Sequence, residues 1–497
     1  MTGIRSNDYH AGLVRELCKL PRETEWVEFK GNNKNPQEIG EYLSALANAA
    51  ALNGKANAYM VWGIEDRTHD IVGTDFLPSA AKKGNEPFET WLLRSMKPKI
   101  HFTFFELSID GNAVVLLEIG RAFRHPVRFQ NEAFIRVGQV KKSLKDVPER
   151  ERELWRILDH TPFENLIAIE HLPADEVLRL LDYPSYFDLL EQPLPSNSEG
   201  ILDILKKDNL IRTCEAGGWD ITNLGAILFA KRLGDFQQLK RKAIRVIQYR
   251  GIGRTETLKE QEGSKGYACS FEGLISYIHG LLPANEVIGK ALRKTVPMFP
   301  ELAVRELVAN ALIHQDFFVQ GTGPMIEIFG DRIEITNPGE SLVDTSRFVD
   351  SPPRSRNEAL ASMMRRFRIC EERGSGIDKV VAQVENYQLP APLFEILEGF
   401  TRTVLFAHKP LMAMDKDDRV RACYLHACLK YVSREFLTNT SLRHRFGIEE
   451  HNRSTVSRLI REAVDDSAIV CYDPSAAPKM RKYVPKWAVQ QGTEGGL

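Results

Sequence analysis

Arg305-Glu306-Leu307-Val308-Ala309-Asn310-Ala311-Leu312-Ile313-His314 reads as one helix with two unlike faces. Glu306, Asn310 and His314 stand four residues apart, so each trails the last by only about 40° around the axis. Leu307, Val308, Ala311 and Leu312 supply an apolar surface that predicts packing on a sheet. Polar side chains aligned on a helix that otherwise reads as buried are costly unless something pairs with them. A metal-bound nucleotide is one such partner. A solvated Glu-Asn-His stripe is the plain alternative, and the helix alone does not choose between them.

The downstream sequence narrows the choice. PMIEIFGDRIEITNPG (324–339) predicts two strands joined at Gly330-Asp331, a favoured two-residue turn, and ends in Asn337-Pro338-Gly339. Arg373-Gly374-Ser375-Gly376-Ile377 opens a helix, IDKVVAQV (377–384), whose first amides predict a phosphate cradle. FTRTVLF (400–406) predicts a closing strand. No G-x-x-x-x-G-K-[ST] occurs, which excludes a P-loop ATPase.

In this order the segments resemble a GHKL (Bergerat-fold) ATP-binding domain, an α/β sandwich, over about residues 290–408. The resemblance implies that Asn310 holds Mg²⁺ against the phosphates and that Glu306 orients or deprotonates the attacking water. His314 shares their face and is expected at the same ATP site. Asn337 stands where the family places an aspartate that reads the adenine amine; its amide oxygen can accept the same hydrogen bond. Gly339 is expected to let the ligand approach closely. Arg373, Gly374 and Gly376 would form the phosphate lid, and Thr403 would touch phosphate from the last strand.

At the other end of the chain, Trp26-Val27-Glu28-Phe29-Lys30 alternates as a strand, with Trp26, Glu28 and Lys30 on one face and Glu23 just before it. QEIGEYLSALANAAAL (37–52) predicts a helix with Ile39, Leu43, Leu46, Ala47 and Ala50 in one stripe, and AYMVWGI (58–64) a second strand leading to Glu65, Asp66 and Asp70. Carboxylates beside a lysine suit a metal-dependent nuclease, since hard oxygen donors hold Mg²⁺ or Mn²⁺ and the metal activates water. The same residues also read as a same-face ion pair and a turn aspartate.

ETEWVEFKGN (23–32), SALANAAALNG (44–54), YMVWGIEDRTHDIVGTDF (59–76) and EAFIRVGQ (132–139) resemble the Schlafen-type AlbA-like domain over about the first 145 residues, although NGKANA (53–58) replaces the usual glycine pair. Members that cut RNA carry an acidic trio spaced like Glu23, Glu28 and Asp66, which by resemblance would bind the metal. Lys30 matches the lysine after the second acid, and Arg136 would reach nucleic acid.

The C-terminal stretch predicts helix, turn, helix and wing. VRACYLHACLKYV (420–432) is amphipathic, NTSLRHRFGI (439–448) closes at Gly447, and NRSTVSRLIREAVDD (452–466) begins with Asn452 as a cap and turns Val456, Leu459, Ile460 and Ala463 inward. Arg453, Ser457, Arg458 and Arg461 face outward, and Lys482 follows in a basic loop. Lysine and arginine outnumber acids by four over residues 412–487. This resembles a winged helix-turn-helix, which implies major-groove reading; such modules also dock proteins or dimerise.

The whole therefore predicts a multidomain α+β chain. Its parts are a Schlafen AlbA-like α/β domain (1–155), a connector with a winged-helix-like segment (156–285), a GHKL-type domain (286–410) and a winged helix (411–497). The 497 residues carry a net charge of −1, so nucleic-acid contact must come from local patches and not from bulk charge. The seven cysteines are scattered singly without a C-x-x-C, which argues against a disulfide framework and for a reducing cytoplasm. No apolar run reaches the roughly 18 residues of a membrane helix. Two functions fit: an ATP-responsive, Mg²⁺- or Mn²⁺-dependent nuclease of a bacterial defence or stress system, or an ATP-sensing transcriptional regulator that does not cut. Either is expected to bind RNA or DNA and to form a homo-oligomer by analogy with its families.

Overall fold

The computed structural model describes residues 7–20, 23–123, 125–160, 162–214, 218–282, 284–288, 293–352, 354–370 and 375–490. The chain divides into two compact units. Unit 1 holds residues 1–183, 194–230 and 235–238, and unit 2 holds 184–193, 231–234 and 239–497. Residues of the segment 156–285 are thus shared between the two units.

Unit 1 begins with α1 (Asn7–Cys18), β1 (Val27–Lys30), α2 (Pro36–Leu52) and β2 (Asn57–Trp62). Then follow β3 (Phe102–Ile109), β4 (Asn112–Gly120), β5 (Glu132–Val137), β6 (Val140–Ser143) and α3 (Pro148–His160). The main sheet runs β1-β2-β4-β3, with β1 parallel to β2 and the other pairs antiparallel. The parallel pair needs a crossover, and α2 supplies it. Asn35 caps α2 by accepting from the Gln37 and Glu38 amides, and Pro36 sits in its first turn, where a missing N–H costs nothing.

The alanines of α2 bring it close to its neighbours. Gly40 goes further, since a Cβ there would stand 2.2 Å from the Phe129 ring. Two buried polar side chains of α2 stitch it to β5 and the chain before it: Ser44 Oγ donates to Val127 O at 2.7 Å, and Asn48 Nδ2 donates to Val127 O and Phe134 O, both at 2.9 Å. Paired in this way, they carry no desolvation penalty. The unit closes with β7 (Ile167–Leu172), α4 (Ser198–Lys207), β8 (Ile211–Thr213), β9 (Trp219–Thr222) and α5 (Asn223–Phe229), whose strands form a sheet in the order β7-β9-β8.

Unit 2 holds β10 (Arg245–Tyr249), β11 (Thr257–Glu262), α6 (Tyr267–Leu281), α7 (Glu301–His314), β12 (Met325–Ile328) and β13 (Arg332–Pro338). After these come α8 (Glu358–Arg366), α9 (Gly376–Asn386), β14 (Leu393–Leu397) and β15 (Phe400–Phe406). Six strands form one sheet in the order β11-β10-β12-β13-β15-β14. Two of them, β10 and β11, come from before residue 286, and β10 joins β12 in parallel. The α/β layer predicted for 286–410 therefore takes strands from the preceding segment. β12 and β13 pair through Gly330-Asp331, with the Phe329 amide donating to Arg332 O at 2.9 Å. α7 packs on β13 and α9 on α7. These contacts position the site.

The tail contains α10 (Lys416–Val432), α11 (Asn439–Arg445), α12 (Arg453–Asp465) and the hairpin β16 (Ile469–Cys471)–β17 (Tyr483–Pro485). Thr438 and Ser441 form a capping box at α11. Asn452, expected to cap α12, makes no side-chain capping bond; its φ of −96° and ψ of 20° lie outside the extended region that capping needs.

Candidate functional site

A cavity of about 550 Å³ opens between α7, the β13–β15 face of the sheet, α8 and the start of α9. That volume falls in the range that holds a nucleotide-sized ligand. Of the nine residues expected at an ATP site, Glu306, Asn310, His314, Asn337, Gly376 and Thr403 all line it. Strand alternation explains the floor. Ile335 and Asn337 point to the same face of β13, and their register partners Thr403 and Thr401 do the same on β15.

Helix periodicity supplies the wall. The Asn310 amide donates to Glu306 Oε1 at 3.3 Å. The Glu306 carboxylate lies against the first residue of α9, where a Cβ on Gly376 would stand 1.9 Å from Glu306 Oε1. Only glycine leaves room for the carboxylate there, and a negative group at a helix start is favoured by the helix dipole.

His314 does not act as a cation at this site. Burial, reinforced by the Arg356 charge, pushes its imidazole down to about 4. The unfolded chain binds a proton near pH 6.5 that the folded chain refuses until about pH 4. Stability should therefore fall as pH drops through that window, by about 3 kcal/mol at its lower end. A His314→Asn variant should lose less thermal stability than the wild type between pH 7.5 and pH 5; equal losses would refute this placement.

Gly339 lies outside the cavity lining. Its φ is +95°, and a Cβ there would stand 2.6 Å from Arg356 Nη1 and 2.8 Å from Asp316 Cβ. The glycine makes room for the Arg356 guanidinium and for Asp316. Arg373 and Gly374 lie outside the described residues.

Sequence reading missed the loop that covers the cavity. Arg354, Arg356 and Arg365 line it. Arg356 is committed to the backbone, donating to His314 O at 3.3 Å and Glu340 O at 3.1 Å. Among the described residues, Arg354 and Arg365 form no ion pair. Asn357 Nδ2 donates to Ile313 O and Gln315 O at 2.7 and 2.8 Å, satisfying carbonyls at the end of α7. The run Pro352-Pro353-Arg354-Ser355-Arg356-Asn357, with two arginines and a capping amide between prolines and a helix, was the available signal.

The N-terminal residues meet differently. Arg136, on β5, is fully buried. Its guanidinium donates to Val27 O at 2.7 Å, pairs with Glu23 Oε2 at 3.0 Å and contacts Glu28 Oε2. Lys30 Nζ pairs with Glu28 Oε1, and Glu23 Oε1 accepts from the Phe29 amide at 2.8 Å. Burial pushes the Glu28 carboxyl up, while Arg136 and Lys30 oppose that shift; the Tyr42 hydroxyl is pushed up by burial and by the Glu28 charge.

The expectation that Arg136 reaches nucleic acid is thus overturned, because its charge is spent on two internal carboxylates. Asp66 is exposed. Among the described residues, Glu23, Glu28 and Asp66 do not form a ligand set. Of the acids expected to hold Mg²⁺ or Mn²⁺, Glu28 pairs with Arg136 and Lys30 and Glu23 with Arg136, while Asp66 lies on an exposed turn. The cavity of unit 2 differs, since its Asn310 and Glu306 oxygens suit a hard cation.

In the tail, Val456, Leu459, Ile460 and Ala463 are buried, and Arg453, Ser457, Arg458 and Arg461 are exposed. Arg453 pairs with Glu450 at 2.9 Å, and Ser457 accepts from Asn439 Nδ2 at 3.1 Å. Among the described residues, Arg458 and Arg461 form no ion pair. Lys482 is exposed, its Nζ 4.8 Å from the Phe436 ring centroid.

Fold and site together define a multidomain α+β protein with a Schlafen AlbA-like part and an ATPase-like part. Residues 23–145 match the family described as "Schlafen, AlbA_2". Residues 321–405 match the family described as "Putative ATP-dependent DNA helicase recG C-terminal", an ATPase-like domain that implies ATP binding. The second match includes β12, β13, α8, α9, β14 and β15 but not α7. A solved structure of the DIP2311 protein from Corynebacterium diphtheriae is 18% identical, with 95% of this chain and 94% of that chain covered and a TM-score of 0.41. No curated protein matches. Among the described residues, no helix is long and apolar enough to cross a membrane.

Proposed function

We propose that this protein is an ATP-binding, nucleic-acid-binding regulator and not a nuclease. The observation that carries the reading is the cavity that gathers Glu306, Asn310, Asn337, Gly376 and Thr403 together with Arg354 and Arg365, which form no ion pair among the described residues. In this reading the cavity is a GHKL-type site for a magnesium nucleotide. Asn310 and Glu306 supply the oxygens facing Mg²⁺, which would neutralise phosphate charge when bound. Asn337 reads the adenine edge, and Thr403 and the opening of α9 face the phosphates. The tail acts as a winged helix, with Arg458 and Arg461 of α12 and Lys482 of the hairpin loop gripping a duplex.

The regulator reading is preferred over cleavage because Glu28 and Glu23 are neutralised internally by Arg136 and Lys30. Purified full-length protein should shift duplex DNA in a gel, and ATP with Mg²⁺ should change the affinity. Arg458→Ala should weaken binding and flatten its salt dependence. With Mn²⁺, RNA and DNA should survive intact. Cleavage by the wild type that disappears in Glu28→Ala would overturn the reading in favour of a metal-dependent nuclease.

A further inference from the structure

Residues outside both sites gather at one point of the β7-β9-β8 sheet. Ile169 pairs with Ile221 and Leu172 with Trp219, so Glu170 and His171 together face the single residue Asp220. This two-against-one arrangement is a β-bulge, and bulges re-aim side chains. His171 takes a φ of +56°, a left-handed conformation uncommon for histidine. Its amide is held by Asp220 Oδ1 at 2.9 Å. The bulge turns the His171 ring towards the end of β8, where Cys214 Sγ lies 3.0 Å from His171 Nδ1. A ligand atom from each of His171, Cys214 and Asp220 lies within 4.8 Å of the others.

We propose that His171, Cys214 and Asp220 bind a zinc ion, with the fourth position open. The donor set is the argument. A thiolate, an imidazole and a carboxylate suit zinc, whereas Mg²⁺ avoids sulfur. Zinc–sulfur and zinc–nitrogen bonds in a tetrahedron would hold Sγ and Nδ1 about 3.5 Å apart. The observed contact needs to open by only half an ångström. Without metal it is a thiol–imidazole hydrogen bond. The Asp220 carboxylate, held by the His171 amide, lies within 4.8 Å of both the imidazole and the thiol and so completes a mixed S, N, O donor set. Bound zinc would tie β7, β8 and β9 together.

The test uses the full chain and the metal alone. One equivalent of Zn²⁺ should bind and raise the melting temperature, as a ligand of the folded state must. Co²⁺ in its place should show a thiolate-to-metal charge-transfer band. Cys214→Ser should abolish the band and weaken zinc at least tenfold, while Cys18→Ser leaves both unchanged. His171→Asn, which tolerates the positive φ, should weaken zinc to a similar degree even if the serine variant folds poorly. X-ray absorption of the zinc-loaded wild type should show one sulfur neighbour. Absence of sulfur from that shell, or equal zinc affinity in the wild type and His171→Asn, would overturn the proposal.

Discussion

Arg136→Ala should lower the melting temperature of unit 1 by about 10 °C, more than any surface substitution there. The guanidinium is fully buried and lies between Glu23 and Glu28, with Glu28 only 1% exposed. Removing one partner of a buried pair costs about 3–5 kcal/mol, because the remaining charge is left without solvent or counterion. Here two carboxylates and the Val27 carbonyl lose a donor together. Lys30 still reaches Glu28, which holds the loss below a full double penalty.

The deficit should depend on pH in a definite direction. Burial already raises the Glu28 carboxyl, and loss of Arg136 raises it further. A carboxyl with a folded pKa above its unfolded value is penalised as pH rises and relieved as pH falls. The variant should therefore lie closer to the wild type at pH 5 than at pH 8. Arg136→Met combined with Glu28→Gln should recover part of the loss, since it removes the more deeply buried of the two stranded charges and leaves only Glu23 without its partner. An unchanged melting temperature with weakened nucleic-acid binding would instead make Arg136 a surface contact.

The Arg136 clamp marks where reading from sequence stops. FTRTVLF forms the strand 400–406, and the inward residues of α12 are Val456, Leu459, Ile460 and Ala463, because period-two and period-3.6 patterns are local properties of the chain. The Glu306–Asn310–His314 face was legible for the same reason. Which strand pairs with which is not local. KAIRVIQYRG (242–251) reads as a strand, but nothing in it says that residues 245–248 will join 325–328 in parallel. Arg136 alternates correctly on its strand, yet alternation does not reveal that the face it points to is covered by β1. Arg354 and Arg365 reach the cavity through a loop and a short helix, where no periodicity announces a ligand. The bulge at His171 needs a positive φ, which the sequence would flag at glycine and not at histidine.

Arg354 of the loop and Arg365 of α8 set up the other large effect. Arg354→Ala combined with Arg365→Ala should weaken ATP binding by about a hundredfold or more while leaving adenosine binding nearly unchanged. Both guanidiniums line the cavity, and a charge-assisted hydrogen bond to phosphate contributes about 1.5–3 kcal/mol. Two such losses multiply in the binding constant, because each 1.4 kcal/mol is a factor of ten. In the proposed reading the adenosine end is read by Asn337 and does not depend on them. Asn310→Ala should weaken ATP only in the presence of Mg²⁺, which separates a metal-facing amide from a phosphate-facing guanidinium. Calorimetry with ATP, ADP and adenosine, each with and without Mg²⁺, reads all three contributions. If adenosine and ATP weaken equally in the double-arginine variant, the loop closes the cavity without touching phosphate. If neither weakens, the cavity is not the nucleotide site, and the carboxylate of Glu306 against Gly376 is a packing contact only.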